Sequence, residues 1–421
     1  MRKMYYFPGF VKFDECDGAI FITSDILENT VRLFEPAIID EVRQIQHNRG
    51  VAELSTPLTN FLHEQELLLN QQEVDAALQS LREYMGCFLP LTIMPTEACN
   101  FRCPYCYQGH DAATMSQATL DRILEYIRSQ ASRFPHIQIN WFGGEPTLGK
   151  NLILKASDYI HRLQEEIPFH FTATMSSNGY LLDVESFKQY YKCDITRYMI
   201  TLDGWGHDKT RPHASGAGTL DTILDNLVQI AHLDPETYDF SIILRHNVLK
   251  GDTDYSWYDH LYQLFGHDPR FSVMIRPVGN WGGDIDPNLP ILSLDERNQF
   301  LLKHIDYVKK IGMPCENGQS GMFSKICHVS YPHSLVFRPN GKIEKCTVIL
   351  DHPKNLVGHV DEREGVILDE DAIALWNRST LKTGCHTCPD VAACLNMQCV
   401  KDHILGTSSR YACSREESLI Y

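Results

Sequence analysis

From residue 89 onward, short apolar segments alternate with amphipathic helical segments, and this alternation restricts the fold more than any other feature of the chain. The apolar segments have the length and composition of buried strands and lie at 89–94, 137–142, 170–177, 195–203, 240–249 and 271–277. Helical patterns occur at 120–134, 152–166, 219–232 and 294–311. Successive β–α units with right-handed crossovers give a parallel sheet with helices outside. We therefore expect an α/β fold, a partial (β/α)6 TIM-like barrel, over residues 89–312.

The segments on either side of this core have different patterns. In residues 1–88, three β-like segments (5–13, 18–23 and 30–34) precede three helical segments (38–47, 57–68 and 71–85), which predicts a small α+β module. Residues 313–421 show no regular alternation and hold eight of the chain's 14 cysteines. We expect this C-terminal domain to be loop-rich and ordered by bound metal more than by an apolar core.

Composition and charge exclude several classes of function. A net charge of −16 argues against nucleic acid as a partner, because phosphate binding requires clustered Lys and Arg. The sequence has no apolar run near the ~20 residues that span a bilayer, which argues against a membrane partner. The N-terminal segment also lacks the apolar stretch of a secretion signal. We therefore expect a cytoplasmic protein.

The cysteines indicate metal chemistry. Disulfides are rare in a reducing cytosol, so metal ligation or redox catalysis is the favoured use of so many thiols. Cys16, Cys87 and Cys193 stand alone and fit ordinary structural positions. The other eleven cysteines fall into groups with ligand-like spacing.

The first group directly follows the first predicted barrel strand, in the segment TEACNFRCPYCYQ. Cys99, Cys103 and Cys106 have the spacing C-x3-C-x2-C, so they can hold three irons of a [4Fe–4S] cluster and leave one iron open. An enzyme that cleaves S-adenosylmethionine (SAM) requires such an open iron. The alternative is a zinc site, but zinc sites usually pair their ligands and complete a tetrahedron.

This segment resembles the cluster motif of the radical SAM superfamily, and the resemblance extends over most of the chain from residue 89. WFGGEPTL, with Gly143, Gly144 and Glu145, resembles the family's GGE motif, which implies contacts to the SAM amino group. SSNGYLL, which begins at Ser176 and includes Ser177 as a candidate SAM contact, resembles its TNG segment. TLDGWGHDKTR resembles the family's S-x-D-G…H-D-x-x-R pattern with a shorter spacer before the His. It implies that Thr201 contacts the ribose and Arg211 the SAM carboxylate.

The C-terminal cysteines resemble the SPASM domain of peptide- and protein-modifying radical SAM enzymes, with one extra residue between the last two cysteines of the central run. The resemblance implies a distal auxiliary cluster on Cys385, Cys388, Cys394 and Cys413. It implies a proximal cluster on Cys327, Cys346 and Cys399, with Cys315 as a possible fourth ligand. With the catalytic cluster this makes three [4Fe–4S] clusters; two structural zinc ions are the alternative for the tail.

Residues 1–88 resemble the winged-helix-like leader-recognition element of ribosomal-peptide maturases, in element order and position alone. The resemblance implies a precursor peptide as substrate and a flavodoxin- or ferredoxin-type electron donor. We expect a radical SAM oxidoreductase that cross-links this peptide, with a Cys thioether as the first candidate and a carbon–carbon link as the second. An anaerobic sulfatase maturase is a weaker alternative, because its catalytic Asp is replaced here by Thr347. A non-enzymatic scaffold that binds metal or peptide remains the alternative from another class.

Overall fold

The computed structural model describes residues 4–16, 18–24, 26, 29–109, 112–279, 285–316, 326–377 and 400–405. These residues divide into two compact units. The first contains the described residues within Met1–Cys87, Ser320–Pro332 and Ala374–Tyr421, and the second those within Phe88–Gln319 and His333–Ile373. None of the helices in these ranges has the length and apolar character needed to cross a membrane.

The first unit is an α+β module with the predicted order of elements. Its strands are β1 (Tyr5–Tyr6), β2 (Val11–Cys16), β3 (Ala19–Ser24), β4 (Asn29–Leu33) and β5 (Leu69–Asn70). Its helices are α1 (Pro36–His47), α2 (Pro57–Glu64) and α3 (Gln71–Gly86). The sheet β2–β3–β4 is antiparallel, and β1 pairs with β5. The helix α2 ends four residues earlier than predicted.

Local signals explain where these helices begin. The Thr56 hydroxyl accepts a hydrogen bond from the Thr59 amide, and Pro57 occupies the first turn of α2. Asn70 and Glu73 form a capping box at the start of α3. The buried side chains of the sheet and helices form one apolar core that includes Phe10, Ile22, Val42, Leu62, Val74 and Leu78.

The second unit is built on a parallel sheet whose strands match the six predicted segments. The strands are β6 (Phe88–Thr96), β7 (His136–Gly143), β8 (His170–Ser177), β9 (Ile195–Thr201), β10 (Ser241–Val248) and β11 (Phe271–Pro277). They lie side by side in chain order and are parallel throughout. The helices of this unit are α4 (Gln117–Ala131), α5 (Lys150–Glu166), α6 (Val184–Tyr191), α7 (His207–Thr210), α8 (Leu220–Ala231), α9 (Ser256–Phe265) and α10 (Leu294–Lys310). This mixed α/β fold with a large central sheet is consistent with a partial barrel.

The predicted boundary after residue 312 is not a boundary of the sheet. Four further strands, β12 (Leu335–Phe337), β13 (Lys342–Glu344), β14 (Leu356–Asp361) and β15 (Gly365–Leu368), extend it beyond β6 to ten strands. The first of them pairs with β6 in parallel, and its three apolar side chains are buried. The pairing satisfies the edge of β6, which a six-stranded sheet would leave open. Helices at Glu370–Asn377 and Val400–Leu405 complete the described elements.

Candidate active site

One cavity of about 200 Å³ collects most of the residues that the sequence motifs pointed to. It lies at the carboxyl ends of the parallel strands, where active sites of β/α barrels form. The residues of the motifs that line it are Cys99, Cys103, Cys106, Gly143, Gly144, Ser177, Thr201 and Arg211. Glu145 is the exception, because its side chain is fully buried behind the cavity wall.

The three cysteines lie on the loop that follows β6. Thr96 anchors the start of this loop: its hydroxyl donates to the Ala113 carbonyl (2.9 Å) and accepts from the Ala98 amide (3.1 Å). The Cys106 amide donates to the Cys103 carbonyl (3.0 Å), which makes a tight turn between the second and third cysteines. Burial raises the pKa of the Cys99 thiol to about 11 and that of Cys103 to about 12, so bare thiolates are unfavourable here.

Gly143 and Gly144 hold the cysteine loop against β7. Gly143 has φ +128°, and a Cβ on it would lie 2.2 Å from the Thr96 carbonyl oxygen. A Cβ on Gly144 would lie 2.3 Å from the Ala98 oxygen. The amide of Gly144 donates to the Thr96 carbonyl (3.1 Å), and that of Glu145 to the Ala98 carbonyl (2.9 Å). The two glycines are therefore required by close backbone packing within the protein.

The carboxylate of Glu145 joins the end of β7 to the end of β8. It accepts hydrogen bonds from the Thr147 amide (3.1 Å) and hydroxyl (2.6 Å), the Ser177 hydroxyl (2.8 Å) and the Asn178 amide (2.7 Å). Burial raises the pKa of this carboxyl, and the four donors counteract the rise. The carboxylate is thus hydrogen-bonded to groups of the chain itself, and it positions Ser177 at the cavity.

Tyr105, between the second and third cysteines, belongs to a polar network under the cavity. Its hydroxyl donates to Asp203 (2.5 Å) and accepts from Arg211 (2.8 Å) and from the Asn247 side-chain amide (3.2 Å). The Asp203 carboxylate also accepts from the Thr210 hydroxyl (3.0 Å). The network connects the cysteine loop to residues that follow β9 and to β10.

His207 and Asp208, which precede Arg211 in the motif, accept hydrogen bonds from backbone amides. The buried His207 accepts a hydrogen bond at Nδ1 from the Asp203 amide (3.1 Å). The Asp208 carboxylate accepts from the amides of Thr219 (2.7 Å) and Leu220 (2.9 Å), at the start of α8. These contacts fix the segment that carries Arg211.

Three of the auxiliary-cluster candidates, Cys315, Cys327 and Cys346, lie among the described residues. Cys315 is buried beside β11, where it forms an isolated bridge with Val273. Cys346 follows β13, and its electrostatic neighbour is Tyr107 at the cavity. Cys327 belongs to the first unit. The remaining candidates, Cys385, Cys388, Cys394, Cys399 and Cys413, lie outside the described residues.

Several polar residues at this site were not among the predicted site residues. Asn178 donates to Asn100 in the cysteine loop (2.7 Å). Arg245 and Asn247 line the cavity from β10. Alternation along β10 could have indicated that these two share a face, because they are two residues apart. Tyr105 is 98 residues from Asp203, 106 from Arg211 and 142 from Asn247 in sequence, and no local pattern encodes such contacts.

The donor set fits a [4Fe–4S] cluster and SAM. In the described part of the chain, no three His, Cys, Asp or Glu side chains converge closely enough to hold a single metal ion. A cluster needs no such convergence, because each thiolate binds a different iron. The Nε of Arg211 is buried without a hydrogen-bond partner among these residues, which leaves a charged donor available for a carboxylate.

Comparisons with known proteins show similarity over part of the chain. Residues 93–260 match the family model of the radical SAM superfamily. The chain is 29% identical over 136 residues to an uncharacterised protein of Methanocaldococcus jannaschii, which covers 32% of this chain and 46% of that protein. It is 26% identical over 229 residues to GTP 3',8-cyclase of Rhizobium etli, which covers 52% of this chain and 61% of the cyclase. The chain thus spans about half the length of the curated relatives it matches.

Solved structures share the fold at low sequence identity. Native anSMEcpe with bound AdoMet superposes with a TM-score of 0.51 at 16% identity, over 72% of this chain and 87% of that one. Streptococcus suis SuiB bound to precursor peptide SuiA superposes with a TM-score of 0.50 at 13% identity, over 97% of this chain and 98% of SuiB. With the match over residues 93–260, we conclude that this chain contains a radical SAM domain.

Proposed function

We propose that this chain is a radical SAM maturase that takes a hydrogen atom from a ribosomally synthesised precursor peptide and closes an intrapeptide cross-link. The proposal is carried by one observation: three closely spaced thiols, a glycine turn and an arginine with an unpaired Nε meet in one cavity at the carboxyl ends of a parallel sheet. A Cys thioether is the first candidate for the link and a carbon–carbon bond the second.

The residues of the cavity have distinct roles in this proposal. Cys99, Cys103 and Cys106 hold the catalytic cluster, which when bound supplies the electron that cleaves SAM to methionine and a 5′-deoxyadenosyl radical. Arg211 binds the SAM carboxylate, and Thr201 faces the ribose. The cavity walls keep water away from the reacting groups. Glu145 acts as a positioning residue for Ser177 and the segment after it.

The peptide substrate is supported by the first unit. SuiB, which was solved with its precursor peptide, shares the fold over nearly the whole of both chains. The first unit contains a groove of about 880 Å³ between the end of α2 and α3. Glu64, Glu66 and Glu73 line the groove beside apolar side chains such as Leu69 and Leu81, and no Lys or Arg does so among the described residues. We propose that this groove binds the leader of the precursor.

The auxiliary cysteines and residue 347 support a cross-link over aldehyde formation. We propose two auxiliary [4Fe–4S] clusters on the C-terminal cysteines, which accept the electron that the substrate radical must lose. Thr347 follows the cluster candidate Cys346 and cannot take up a proton at neutral pH. A nucleophile of the substrate itself is therefore the favoured trap. A flavodoxin- or ferredoxin-type protein in the cytoplasm is the proposed electron donor.

Anaerobic reconstitution tests the catalytic part of the proposal. Protein with three [4Fe–4S] clusters should hold about twelve irons and should release 5′-deoxyadenosine from SAM under dithionite. Changing Cys99, Cys103 and Cys106 together to Ala should remove about a third of the iron and all SAM cleavage. Cys193→Ala is the matched control, because this buried cysteine does not line the cavity. Iron near four atoms with zinc present would contradict the auxiliary clusters, and intact clusters without SAM cleavage would favour the scaffold.

Charge reversal in the groove tests leader binding. Glu64→Lys combined with Glu66→Lys should weaken binding of the precursor encoded beside the gene, because both exposed carboxylates line the groove. SAM cleavage without peptide should stay unchanged. Glu53→Lys, an exposed glutamate outside the groove, is the control. Equal precursor affinity in the double variant and the control would remove the groove from the proposal.

A further inference from the structure

The cavity has more positive charge than SAM alone requires. Two arginines, Arg211 and Arg245, line it, and no Asp or Glu does so among the described residues. Neither arginine takes part in an ion pair in the described part of the chain. Arg211 is buried and Arg245 is half-buried. Removing a guanidinium from water without a directly paired carboxylate is costly, so an arrangement of this kind is expected where an anionic ligand completes the site.

Arg245 is held in place without being neutralised. Its Nε donates to the Asn247 side-chain oxygen (2.8 Å), and one terminal nitrogen contacts the Met199 sulfur (3.9 Å). Neither partner carries charge. Burial lowers the pKa of Arg245, and the neighbouring Arg276 lowers it further. The guanidinium is thus oriented by neutral groups.

Arg276 lies on the same face of the sheet as Arg245. It is in register with Asn247 across β10 and β11, and Asn247 lines the cavity two residues after Arg245. Side chains at paired positions of neighbouring strands point to the same face. Arg276 is exposed, so it extends the positive region towards solvent beyond Arg245.

The two cavity arginines have partly different neighbours. The Arg211 guanidinium counteracts the rise in the pKa of all three loop thiols, so it lies beside the cluster position. Arg245 shares the neighbours Tyr105 and Asp203 with Arg211. It also interacts with Tyr107 and with Arg276, on the β11 side of the cavity. Arg211 thus suits the carboxylate of a SAM molecule that contacts the cluster, and Arg245 is left for a second ligand.

We infer that Arg245, with Arg276 beside it, binds a carboxylate of the peptide substrate next to the residue that loses its hydrogen. The inference rests on the proposed function and adds that the modified segment carries a negative charge at this position. The forked guanidinium binds a carboxylate through two parallel hydrogen bonds, which also orients the peptide. The source of the carboxylate is an Asp or Glu side chain or the peptide's own C-terminus.

Three probe peptides separate these sources: acetyl-Gly-Ala-Glu-Ala-Gly-amide, its Gln counterpart, and the Gln peptide with a free C-terminal carboxylate. Binding is measured by calorimetry on the reconstituted, SAM-loaded and unreduced protein. The Glu peptide, the free-acid peptide or both should bind about tenfold more tightly than the neutral Gln amide, as expected for a charge-assisted hydrogen bond. Equal affinities for all three would overturn the inference.

Variants assign the difference to the arginine. Arg245→Gln should abolish the preference for the charged peptide, and Arg245→Lys should restore part of it. Arg197→Gln is the matched control, because Arg197 lies on the same face of β9 as the cavity residues Met199 and Thr201 but does not line the cavity. The SAM affinity of Arg245→Gln is measured alongside its peptide preference. Loss of SAM affinity with the peptide preference intact would show that Arg245 binds SAM and would overturn the inference. Failure of wild-type SAM cleavage would instead refute the proposed function.

Discussion

At the scale of single residues, Tyr105 links the cysteine loop to Arg211, the proposed SAM ligand. Its hydroxyl accepts from Arg211 and Asn247 and donates to Asp203. Removing the hydroxyl keeps the ring but leaves Arg211 without this partner. The orientation of the guanidinium should therefore become less defined.

We expect Tyr105→Phe to weaken SAM binding by about threefold to tenfold, the usual net value of one hydrogen bond. Iron content should be unchanged, because the cysteines are intact. Equilibrium binding of SAM to the reconstituted protein measures the effect. Tyr262→Phe, outside the cavity, is the control. SAM affinity equal to that of wild type would show that Arg211 is positioned without Tyr105.

His207 gives the protein a defined response to acid. Burial, followed by repulsion from Arg211, lowers the pKa of His207 from 6.5 to about 4. The unfolded chain therefore takes up the proton first as the pH falls. Stability is lost from about pH 6.5 downward and levels off near pH 4.

Between pH 6.5 and pH 5 we expect His207 to account for about 2 kcal/mol of lost unfolding free energy. His207→Asn keeps an acceptor for the Asp203 amide and removes the titrating group, so its stability should vary less with pH. Urea unfolding under anaerobic conditions at several pH values measures the difference. Parallel pH profiles for wild type and His207→Asn would contradict this role.

Sequence motifs located the groups with distinctive spacing and missed those defined only by contacts in space. The three cysteines and Arg211 were predicted and line one cavity. Glu145 was assigned to SAM by resemblance, whereas its carboxylate is engaged by four donors from the chain. Hydrogen bonds between β7 and β8 depend on strand alignment, which a sequence pattern does not specify.

At the scale of elements, the strands of the parallel sheet were predictable because each is a buried apolar segment between helices. The strand β12 was not predicted, because a strand of three residues is too short to show a recognisable hydrophobic pattern. Two interactions hold β12 in place: it pairs with the edge of β6, and a buried ion pair forms just after it. Arg338, just after β12, forms an ion pair with Glu97 in the loop that precedes Cys99.

We expect this ion pair to stabilise the junction of β6 and β12. Arg338→Met should cost about 3–5 kcal/mol, because it leaves the buried Glu97 carboxylate without this partner. Glu97→Gln should cost less, because Arg338 keeps its ion pair with Asp351 (2.8 Å). The double variant should be more stable than the sum of the single effects predicts. Chemical denaturation of all four proteins gives the coupling energy. The exposed pair Asp158–Arg162 is the control and should show coupling of at most about 0.5 kcal/mol. Additive effects at Glu97 and Arg338 would contradict the stabilising role.

At the scale of the whole molecule, we assign the two proposed functions, peptide binding and SAM chemistry, to different units. The first contains the acidic groove, and the second contains the cavity with the three thiols. The sequence predicted the N-terminal module as a separate block because three strands precede three helices. It did not predict that residues 333–373 join the barrel unit, because that association depends on pairing between β6 and β12, which are more than 200 residues apart.

The composition of the product tests the proposed reaction as a whole. Thr347 provides no base beside the cluster candidate Cys346, so a group of the substrate is expected to trap the oxidised carbon. A thiolate is the best such group near neutral pH, since Cys loses its proton more readily than Ser or Lys. Removing two hydrogens and closing a ring adds no atom from water.

Each ring should therefore lower the mass of the precursor by two hydrogens, about 2 Da, and a thioether should also consume one thiol. Mass spectrometry of a candidate precursor peptide, after thiol alkylation, measures both changes. The reaction without SAM is the control. A loss of 2 Da with every Cys still alkylated would exclude the thioether and leave the carbon–carbon link. An aldehyde trapped by hydrazine would instead show formylglycine chemistry, which would need a base other than residue 347 and would contradict the proposed cross-link.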